Sequence, residues 1–376
     1  MANKRDLSAL QKQIWSGSIP LEIRLASTEC RTYDESDPYL IQVPRLSYIP
    51  FILSRLHAFF TPFLIDPDVD PSQGWLSYDD VPLKWHHPIG LLYDLYSGAE
   101  PFTPDTLTAP TPSAPHPPPS PTGTPMTTQP GTPWRLTAHF TTPAPATLVP
   151  LDAAHKAHHD AFVNAVKEAD FLRNGTAKAA MSLSKEASDR LWDAVRANDL
   201  PAWNAVHGRL LVSPPGAGPL RNVPMKLYLP GAPGPARVGA GGGGDNTNNA
   251  LERGTPAARE GRAGEEDGAA ADSPAPAASD TITSLRVVQA LVPPVLGVGT
   301  ATSRGGGAGG GSGQPQTMGT ALNMILPTLF PSRRSPLLAQ PVLHGAVVPL
   351  SAPVEELLKA AAYADGFLHV AIVMMN

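Results

Sequence analysis

The sequence predicts an α+β chain in which two similar units of strands and helices flank a smaller helical segment. In the first third, alternating and helical patterns follow the order strand, strand, helix, strand, short helix, strand. The same order returns in the last third, and residues 151–212 between the two carry only helical periods. This order is that of a ubiquitin-like β-grasp sheet with one helix on its face. We therefore predict two ubiquitin-like β-grasp domains around a helix-rich domain.

The first unit follows an amphipathic helix over residues 5–16, with Gly17 just past its end. A helical stripe begins at Tyr48, and a shorter helix begins after Pro88, whose ring excludes a helix interior before it. The strands of this unit are recognised by alternating apolar residues: 19–25, 39–45, 75–80 and 134–140.

The middle segment predicts three helices with recognisable ends. Asp152 is suited to cap the first helix, and Asn174-Gly175 ends it. Ser184 begins the second helix, and Asp199 caps the third. The last unit repeats the first, with strands at 223–229, 285–292, 342–348 and 367–373 and with helices at 321–330 and from 353.

Proline and glycine, with 44 and 33 residues, are concentrated in three segments that we predict to be disordered inserts. These segments lack the apolar surface that would offset the entropy of ordering: 101–132, 231–280 and 298–318. The predicted domains are an N-terminal helix, domain A, the helical domain and domain B: 1–17, 18–145, 146–214 and 215–376.

Composition excludes several function classes. A net charge of −5 argues against a nucleic-acid-binding surface, which needs a basic face. A single cysteine, Cys30, excludes an internal disulfide and fits a reducing compartment. The chain opens with no apolar signal segment, and its longest apolar runs reach about half of the ~20 residues that span a bilayer. Any membrane contact is therefore expected to be peripheral.

One segment carries the most specific signal, since Pro82–Asp94 reads PLKWHHPIGLLYD. It resembles the corner motif of the autophagy protein 5 family. Further matches occur in the same order along the chain: Trp15-Ser-Gly-Ser-Ile-Pro, Val43-Pro-Arg-Leu-Ser-Tyr48, Pro133-Trp-Arg-Leu-Thr-Ala-His-Phe140, Lys167-Glu-Ala-Asp170, Asn174-Gly175, Met181-Ser-Leu-Ser184, Leu191-Trp192, Asn222-Val-Pro224, His344-Gly345 and Asp365-Gly-Phe-Leu-His369. The three inserts are longer than that family needs.

The resemblance implies a non-catalytic scaffold without a cofactor. In that family a lysine takes the C-terminal glycine of the ubiquitin-like autophagy protein 12, after activation by the E1-like autophagy protein 7 and the E2-like autophagy protein 10. The conjugate binds autophagy protein 16 and, with the E2-like autophagy protein 3, promotes transfer of autophagy protein 8 to phosphatidylethanolamine. The resemblance also implies a cytoplasmic protein at the preautophagosomal structure membrane, active in autophagosome and cytoplasm-to-vacuole vesicle formation.

Lys167 is the expected conjugation acceptor, because it matches the family's acceptor helix. Its apolar neighbours at i−4 and i+4, Val163 and Phe171, place it at the edge of the buried stripe. We expect Asp170, at i+3, to favour the charged amine. Lys178, just past the Asn-Gly break, is the alternative acceptor. The interpretation without a function is that Lys167 is an ordinary solvated lysine on a helix surface.

Partner-binding candidates come from the same resemblance, in which a helix of autophagy protein 16 docks on a surface shared by both ubiquitin-like domains. The matching residues are Leu10, Trp15, Arg45 and Tyr48. Helix-in-groove binding needs apolar anchors with a charged rim. Core packing of Leu10 and Trp15 is an equally open interpretation.

Three other functions would depend on a cysteine, on a group of histidines or on the proline-rich segments. Cys30 would make the chain a thiol-dependent conjugation enzyme, but no Cys-His arrangement accompanies it. His155, His158 and His159 share helical spacing that suits a metal, although no further ligand follows at motif spacing, so no metal site is expected. A plain adaptor with proline-rich arms is the third alternative.

Overall fold

The computed structural model describes residues 4–31, 36–102, 132–211, 220–230, 285–296 and 314–375. Nine α-helices and twelve strands lie in this part of the chain. The helices are α1 (Lys4–Ser16), α2 (Pro50–Phe60), α3 (Ile89–Tyr96), α4 (Lys156–Asn174), α5 (Lys178–Met181), α6 (Lys185–Arg196), α7 (Leu200–Leu211), α8 (Met318–Ile325) and α9 (Val354–Ala361). The strands are β1 (Ser18–Leu25), β2 (Tyr39–Pro44), β3 (Trp75–Tyr78), β4 (Val81–Pro82), β5 (Trp134–His139), β6 (Met225–Pro230), β7 (Leu285–Gln289), β8 (Val295–Leu296), β9 (Gln314–Pro315), β10 (Ala339–Leu343), β11 (Ala346–Val347) and β12 (Leu368–Met374).

The first sheet has the order β2-β1-β5-β3-β4. Its two central strands, β1 and β5, run parallel, while β2 and β3 pair antiparallel with them. Alternate side chains of β1 are buried, as the sequence pattern predicts. They join the apolar face of α2 in a core that includes Ile23, Leu53 and Leu56. The predicted β-grasp arrangement is confirmed.

The second sheet repeats this arrangement as β11-β10-β12-β6-β7, with β6 and β12 parallel at its centre. One predicted strand is wrong in detail, because residues 342–348 form a hairpin and not a continuous strand. The chain turns at His344 and Gly345, which have φ of +53° and +84°, and β11 returns beside β10. Glycine tolerates that left-handed conformation at Gly345 without strain.

Two predicted insert boundaries need correction. Gln314–Pro315 forms β9, and α8 begins at Met318, so the fold includes residues that were assigned to the 298–318 insert. Phe102 pairs with Ala346 of the second sheet and therefore also belongs to the fold. Residues 103–131, 231–280 and 298–313 of the predicted inserts lie outside the described residues.

The helical segment contains the three predicted helices and one that the sequence pattern missed, the short α5. Asp152 caps the first turn of α4 with its carboxylate, which accepts hydrogen bonds from the backbone N–H groups of Lys156 and Ala157, although the N-cap position itself is His155 and not Asp152. Gly175 ends α4 in the left-handed conformation, with φ of +73°. Helices α4, α6 and α7 share one apolar core with the second sheet, which fixes the helical segment against that sheet.

One buried carboxylate joins the two β-grasp units. Asp94, on α3, forms an ion pair with Arg45, and both side chains are largely buried. Its other oxygen accepts a hydrogen bond of 2.9 Å from the backbone N–H of Gly345, in the β10–β11 turn. Arg45 also donates to the carbonyl of Gly90, at 3.2 Å. The two sheets are thus connected through charge-assisted bonds at a site that water barely reaches.

Replacing Asp94 by Asn is expected to lower the free energy of unfolding by about 3 to 5 kcal/mol, because the Arg45 guanidinium would stay buried without its counter-charge. Urea denaturation of the full chain measures this change. Asp193→Asn is the matched control, since it breaks an exposed pair with Arg196 and should change the midpoint little. Equal midpoints for the two variants would contradict the structural role of Asp94.

Candidate functional site

Helix α4 places Lys167 at the boundary between its buried and exposed faces. One face of the helix is buried and contains Phe162, Val166, Ala169, Asp170 and Arg173. Lys167 itself is half-buried, and Phe171, one turn later, is exposed. Among the described residues no ion pair or hydrogen bond of the Lys167 side chain is present. The amine is therefore not held by another side chain in the described part of the fold.

No ion pair or hydrogen bond between Asp170 and Lys167 is present among the described residues. Asp170 is fully buried and points into the fold. Its carboxylate accepts hydrogen bonds of 2.8 Å from the backbone N–H of Ala180 and 2.7 Å from the side-chain amide of Asn174. Asp170 thus fixes α5 against the end of α4 and makes no contact with the amine.

The residue after Lys167 fixes the helix against the second sheet. The carboxylate of Glu168 accepts a hydrogen bond of 3.0 Å from Lys226 on β6 and another of 2.9 Å from Gln289 on β7. The Lys226 ammonium also lies 4.0 Å from the ring centroid of Phe367, within cation–π range. These contacts restrict rotation of α4 about its axis and so hold Lys167 in one orientation.

Lys178, the alternative acceptor, lies at the first position of α5 and is exposed. Its backbone N–H donates to Thr176, which supports the tight turn after Gly175. Lys178 is the more exposed of the two lysines, so accessibility alone does not favour Lys167. The difference is in their supports, because Lys167 lies within a long helix of 19 residues and Lys178 begins a helix of 4 residues.

A groove of about 700 Å³ runs between the two β-grasp units and α1. Leu10 and Ile14 of α1 line one side, and Val347 and Leu357 of the second unit line another. The Arg45–Asp94 pair also lines this groove. An apolar channel with one buried charge pair is suited to an amphipathic helix.

The four predicted partner-binding residues divide into two groups. Leu10 lies exposed at the groove, and Arg45 lines it while held by Asp94. Trp15 and Tyr48 are core residues instead: Trp15 packs on Trp203 with ring centroids 5.1 Å apart, and Tyr48 packs 4.9 Å from His158. Burial of these two aromatic rings removes them from any partner surface.

Sequence reasoning missed a second cavity, of about 440 Å³, where all three units meet. His369 bonds Tyr228 and Asp365, each at 2.8 Å, and these three groups line one wall. His158 also lines this cavity. Neither of its ring nitrogens has a hydrogen-bond partner among the described residues. The Asp365–His369 spacing was visible as a motif, but the meeting of distant histidines depends on long-range folding.

The structure gives no support to a metal on the three α4 histidines, since no metal-binding group of side chains is found in the described ranges. His158 is enclosed by aromatic rings, among them Trp85 and Trp192, with centroids 5.4 and 4.8 Å away. Cys30 is half-buried and forms an isolated bridge with Leu64. No described helix is long and apolar enough to cross a bilayer.

Comparison with known families matches each of the three units separately. The model "Autophagy protein ATG5, UblA domain" matches residues 14–140, the model of its alpha-helical bundle region matches 155–213, and the model of its UblB domain matches 222–372. The chain belongs to the autophagy protein 5 family. This membership gives it a role in autophagy and confirms the ubiquitin-like identity of both sheets.

Full-length relatives and a solved structure agree with this assignment. Autophagy protein 5 of Phaeosphaeria nodorum is 48% identical over 100% of both chains. The protein of the same name from Neosartorya fischeri is 45% identical, over 100% of this chain and 98% of its own. The crystal structure of Kluyveromyces marxianus Atg5 matches the fold with a TM-score of 0.61 at 17% identity, covering 97% of this chain and 99% of that one.

The enclosed His158 predicts acid sensitivity. Its pKa is lowered to about 3, mainly by burial and further by repulsion from His155, His86 and His159. The unfolded chain takes up a proton near pH 6.5 while the folded chain does not, so stability falls as the pH drops below about 7. At pH 5.5 this histidine alone is expected to cost about 1.4 kcal/mol.

Replacing His158 by Phe should reduce the decrease in melting temperature between pH 7.5 and pH 5.5, because Phe fills the aromatic cage without taking up a proton. Thermal denaturation at both pH values measures the difference. His159→Phe serves as control, since this neighbouring histidine is only half-buried. A decrease of the same size in H158F and in the unchanged chain would contradict the attribution of acid sensitivity to the buried His158.

Proposed function

We propose that the chain is a non-enzymatic scaffold that accepts autophagy protein 12 on Lys167 through an isopeptide bond. The conjugate, with autophagy protein 16, then acts in an E3-like manner on the lipidation of autophagy protein 8. Autophagy proteins 7, 10 and 3 are the proposed activating and conjugating enzymes. The proposed location is the cytoplasm and, peripherally, the preautophagosomal structure membrane.

The orientation of α4 is the observation that supports Lys167 most strongly. Glu168 fixes the helix to the second sheet, and Asp170 fixes its end to α5, while Lys167 between them is half-buried and has no ion pair or hydrogen bond of its side chain among the described residues. An amine that attacks an incoming thioester must be reachable and correctly placed. The chain itself supplies position and a nucleophile, and the conjugating enzyme supplies the activated modifier.

The groove supports binding of autophagy protein 16. Its apolar sides come from α1 and the second β-grasp unit, and apolar sides of this kind are what helix-in-groove binding needs. Because α1 forms part of the groove, a partner helix bound there would contact α1 and both β-grasp units. These two units are the ones that the Arg45–Asp94 pair and Gly345 connect.

The thiol-enzyme alternative receives no support from the surroundings of Cys30. This cysteine follows β1 in a short 3₁₀ turn, and its backbone N–H bonds Ser27. A reactive thiolate needs a helix N-terminus or a cationic partner. Cys30 lies instead at the C-terminal end of its 3₁₀ turn, and no ion pair of its thiol is present in the described part of the chain. We therefore propose the scaffold role and treat Cys30 as incidental.

Replacing Lys167 by Arg should abolish the covalent product with autophagy protein 12 while leaving the fold intact, because Arg keeps charge and length but does not form the isopeptide bond. Intact mass and immunoblotting of the protein from its own cells measure the conjugate. Lys178→Arg is the matched control and should conjugate normally. A heavier species that persists in K167R and disappears in K178R would move the acceptor to Lys178.

Replacing Leu10 by Glu should weaken binding of the helical segment of autophagy protein 16 by about 10- to 100-fold, the equivalent of one buried leucine. Isothermal titration calorimetry measures the affinity. Leu40→Glu, which changes an exposed leucine on β2 outside the groove, should bind normally. Equal affinity of L10E and L40E would show that the helix docks elsewhere.

A further inference from the structure

The cavity of about 440 Å³ between α4 and the two β-grasp units has the size of a ligand site, and we call it the histidine cavity. The first unit contributes Tyr48, His86 and His87 to its lining, and the second contributes Lys226 and Tyr228. Small-molecule sites in proteins enclose about 300–1,000 Å³. The histidine cavity is therefore large enough for a small organic molecule.

The cavity opens to solvent where its lining residues are exposed. His86 of the first unit and Asn164 and Glu168 of α4 form this exposed side. Tyr48 and His87 lie deeper and are only 4% and 8% exposed. A ligand that enters beside α4 would therefore reach two buried polar side chains.

The two carboxylates of the lining already have partners. Asp365 accepts hydrogen bonds from the His369 ring at 2.8 Å and from the backbone N–H of Phe367 at 3.1 Å. Burial alone would raise the pKa of Asp365, but His369 outweighs that effect and lowers it, so the carboxylate stays ionised. Glu168 accepts a hydrogen bond of 3.0 Å from Lys226. The negative charges of the lining are thus bonded within the protein.

The unused hydrogen-bonding groups of the lining include three donors. In the described part of the chain, the Tyr48 hydroxyl and the rings of His86 and His87 take part in no hydrogen bond. Burial raises the pKa of the Tyr48 phenol well above its usual value, so this group keeps its proton and can donate. A neutral imidazole offers one further N–H from each ring. Three donors thus lack an acceptor in the protein.

The electrostatic field at the deeper histidine is positive. The pKa of His87 is held well below its usual value, first by burial and then by repulsion from His86, His369, Lys84 and Lys226. An anion in the cavity would offset this repulsion. The free donors and the positive field therefore both favour a negatively charged ligand.

Aromatic rings form another part of the same walls. Phe162 and Tyr228 line the cavity together with Tyr48. The ring of His87 lies 5.3 Å from that of Tyr228, in an edge-to-face arrangement. Such rings are suited to contact an apolar or aromatic part of a ligand.

We propose that the histidine cavity binds a small organic oxyanion, a phosphate ester or a carboxylate whose organic part packs on the aromatic walls. Tyr48, His86 and His87 donate hydrogen bonds to the oxyanion, and Lys226 adds a positive charge to the lining. A metal ion is a poorer occupant, since no metal-binding group of side chains is found in the described ranges. Lys167 does not line the cavity, so the proposal does not depend on conjugation.

The first experiment is isothermal titration calorimetry of the unconjugated full chain with inorganic phosphate, phenyl phosphate and benzoate. At least one of the two aromatic probes should bind at one site with a Kd at or below about 1 mM. It should bind more tightly than inorganic phosphate, which has no ring to pack. The tighter of the two aromatic probes identifies the oxyanion as a phosphate or a carboxylate. The proposal is overturned if neither aromatic probe binds, or if inorganic phosphate binds as tightly as both.

The second experiment places the site by a single hydroxyl. Tyr48→Phe keeps the packed ring and should weaken binding of the tighter probe by about 10- to 100-fold, the contribution of one hydrogen bond to a charged group. Tyr93→Phe is the matched control, since it removes the hydroxyl of another buried tyrosine, which lines the groove and not the histidine cavity. Equal affinities of the two variants would overturn the proposal.

The third experiment uses the unchanged chain and so does not depend on the folding of a variant of Tyr48. Nuclear magnetic resonance of the chain labelled at histidine follows the ring signals as the tighter probe is added. The signal of His86 should shift, and that of the half-buried His139 on β5, outside the cavity, should stay in place. His86→Gln and His139→Gln assign the two signals. An unshifted His86 signal, or an equal shift of both, overturns the proposal.

Discussion

The carboxylate of Asp94 is the interaction on which the arrangement of the two β-grasp units depends. It neutralises Arg45 within the first unit and accepts a backbone hydrogen bond from Gly345 in the second. Burial alone would lower the pKa of Arg45, but the adjacent carboxylate outweighs that effect and raises it. A buried pair of this kind stabilises little by itself, yet it admits only one relative placement of the groups it joins. The shape of the groove between the units follows from that placement.

Besides this ion pair, the units are held together by an apolar core that crosses the predicted domain boundaries. Trp15 of α1 packs on Trp203 of α7, whose indole N–H donates to the carbonyl of Ala364 before β12, at 3.0 Å. Helix α1, the helical segment and the second sheet therefore share one apolar interior. The groove and α4 thus belong to one connected body within the described ranges.

Local sequence signals predicted the helices and strands, whereas long-range contacts determine which side chains are buried and which are exposed. Alternation found β1 and β5, and Asp152 and Gly175 correctly marked the ends of α4, because such signals act within a few residues. Trp15 and Tyr48 are buried, so the core interpretation that was open for Trp15 applies, and a match to a family motif does not reveal which neighbour covers a side chain. The histidine cavity was invisible for the same reason: His158 and His369 are distant in sequence and meet only through the fold.

The four residues of the proposed acceptor motif, Lys167 to Asp170, face four different environments because successive helical positions are about 100° apart. Lys167 faces the half-buried edge, Glu168 reaches Lys226, Ala169 is fully buried, and Asp170 caps α5 from the interior. Three of the four positions therefore hold the helix, and one presents the amine. In the proposed acceptor role, such a short motif needs no catalytic group of its own, since the fold fixes the direction from which the amine is approached and the proposed conjugating enzyme supplies the thioester whose thiolate leaves.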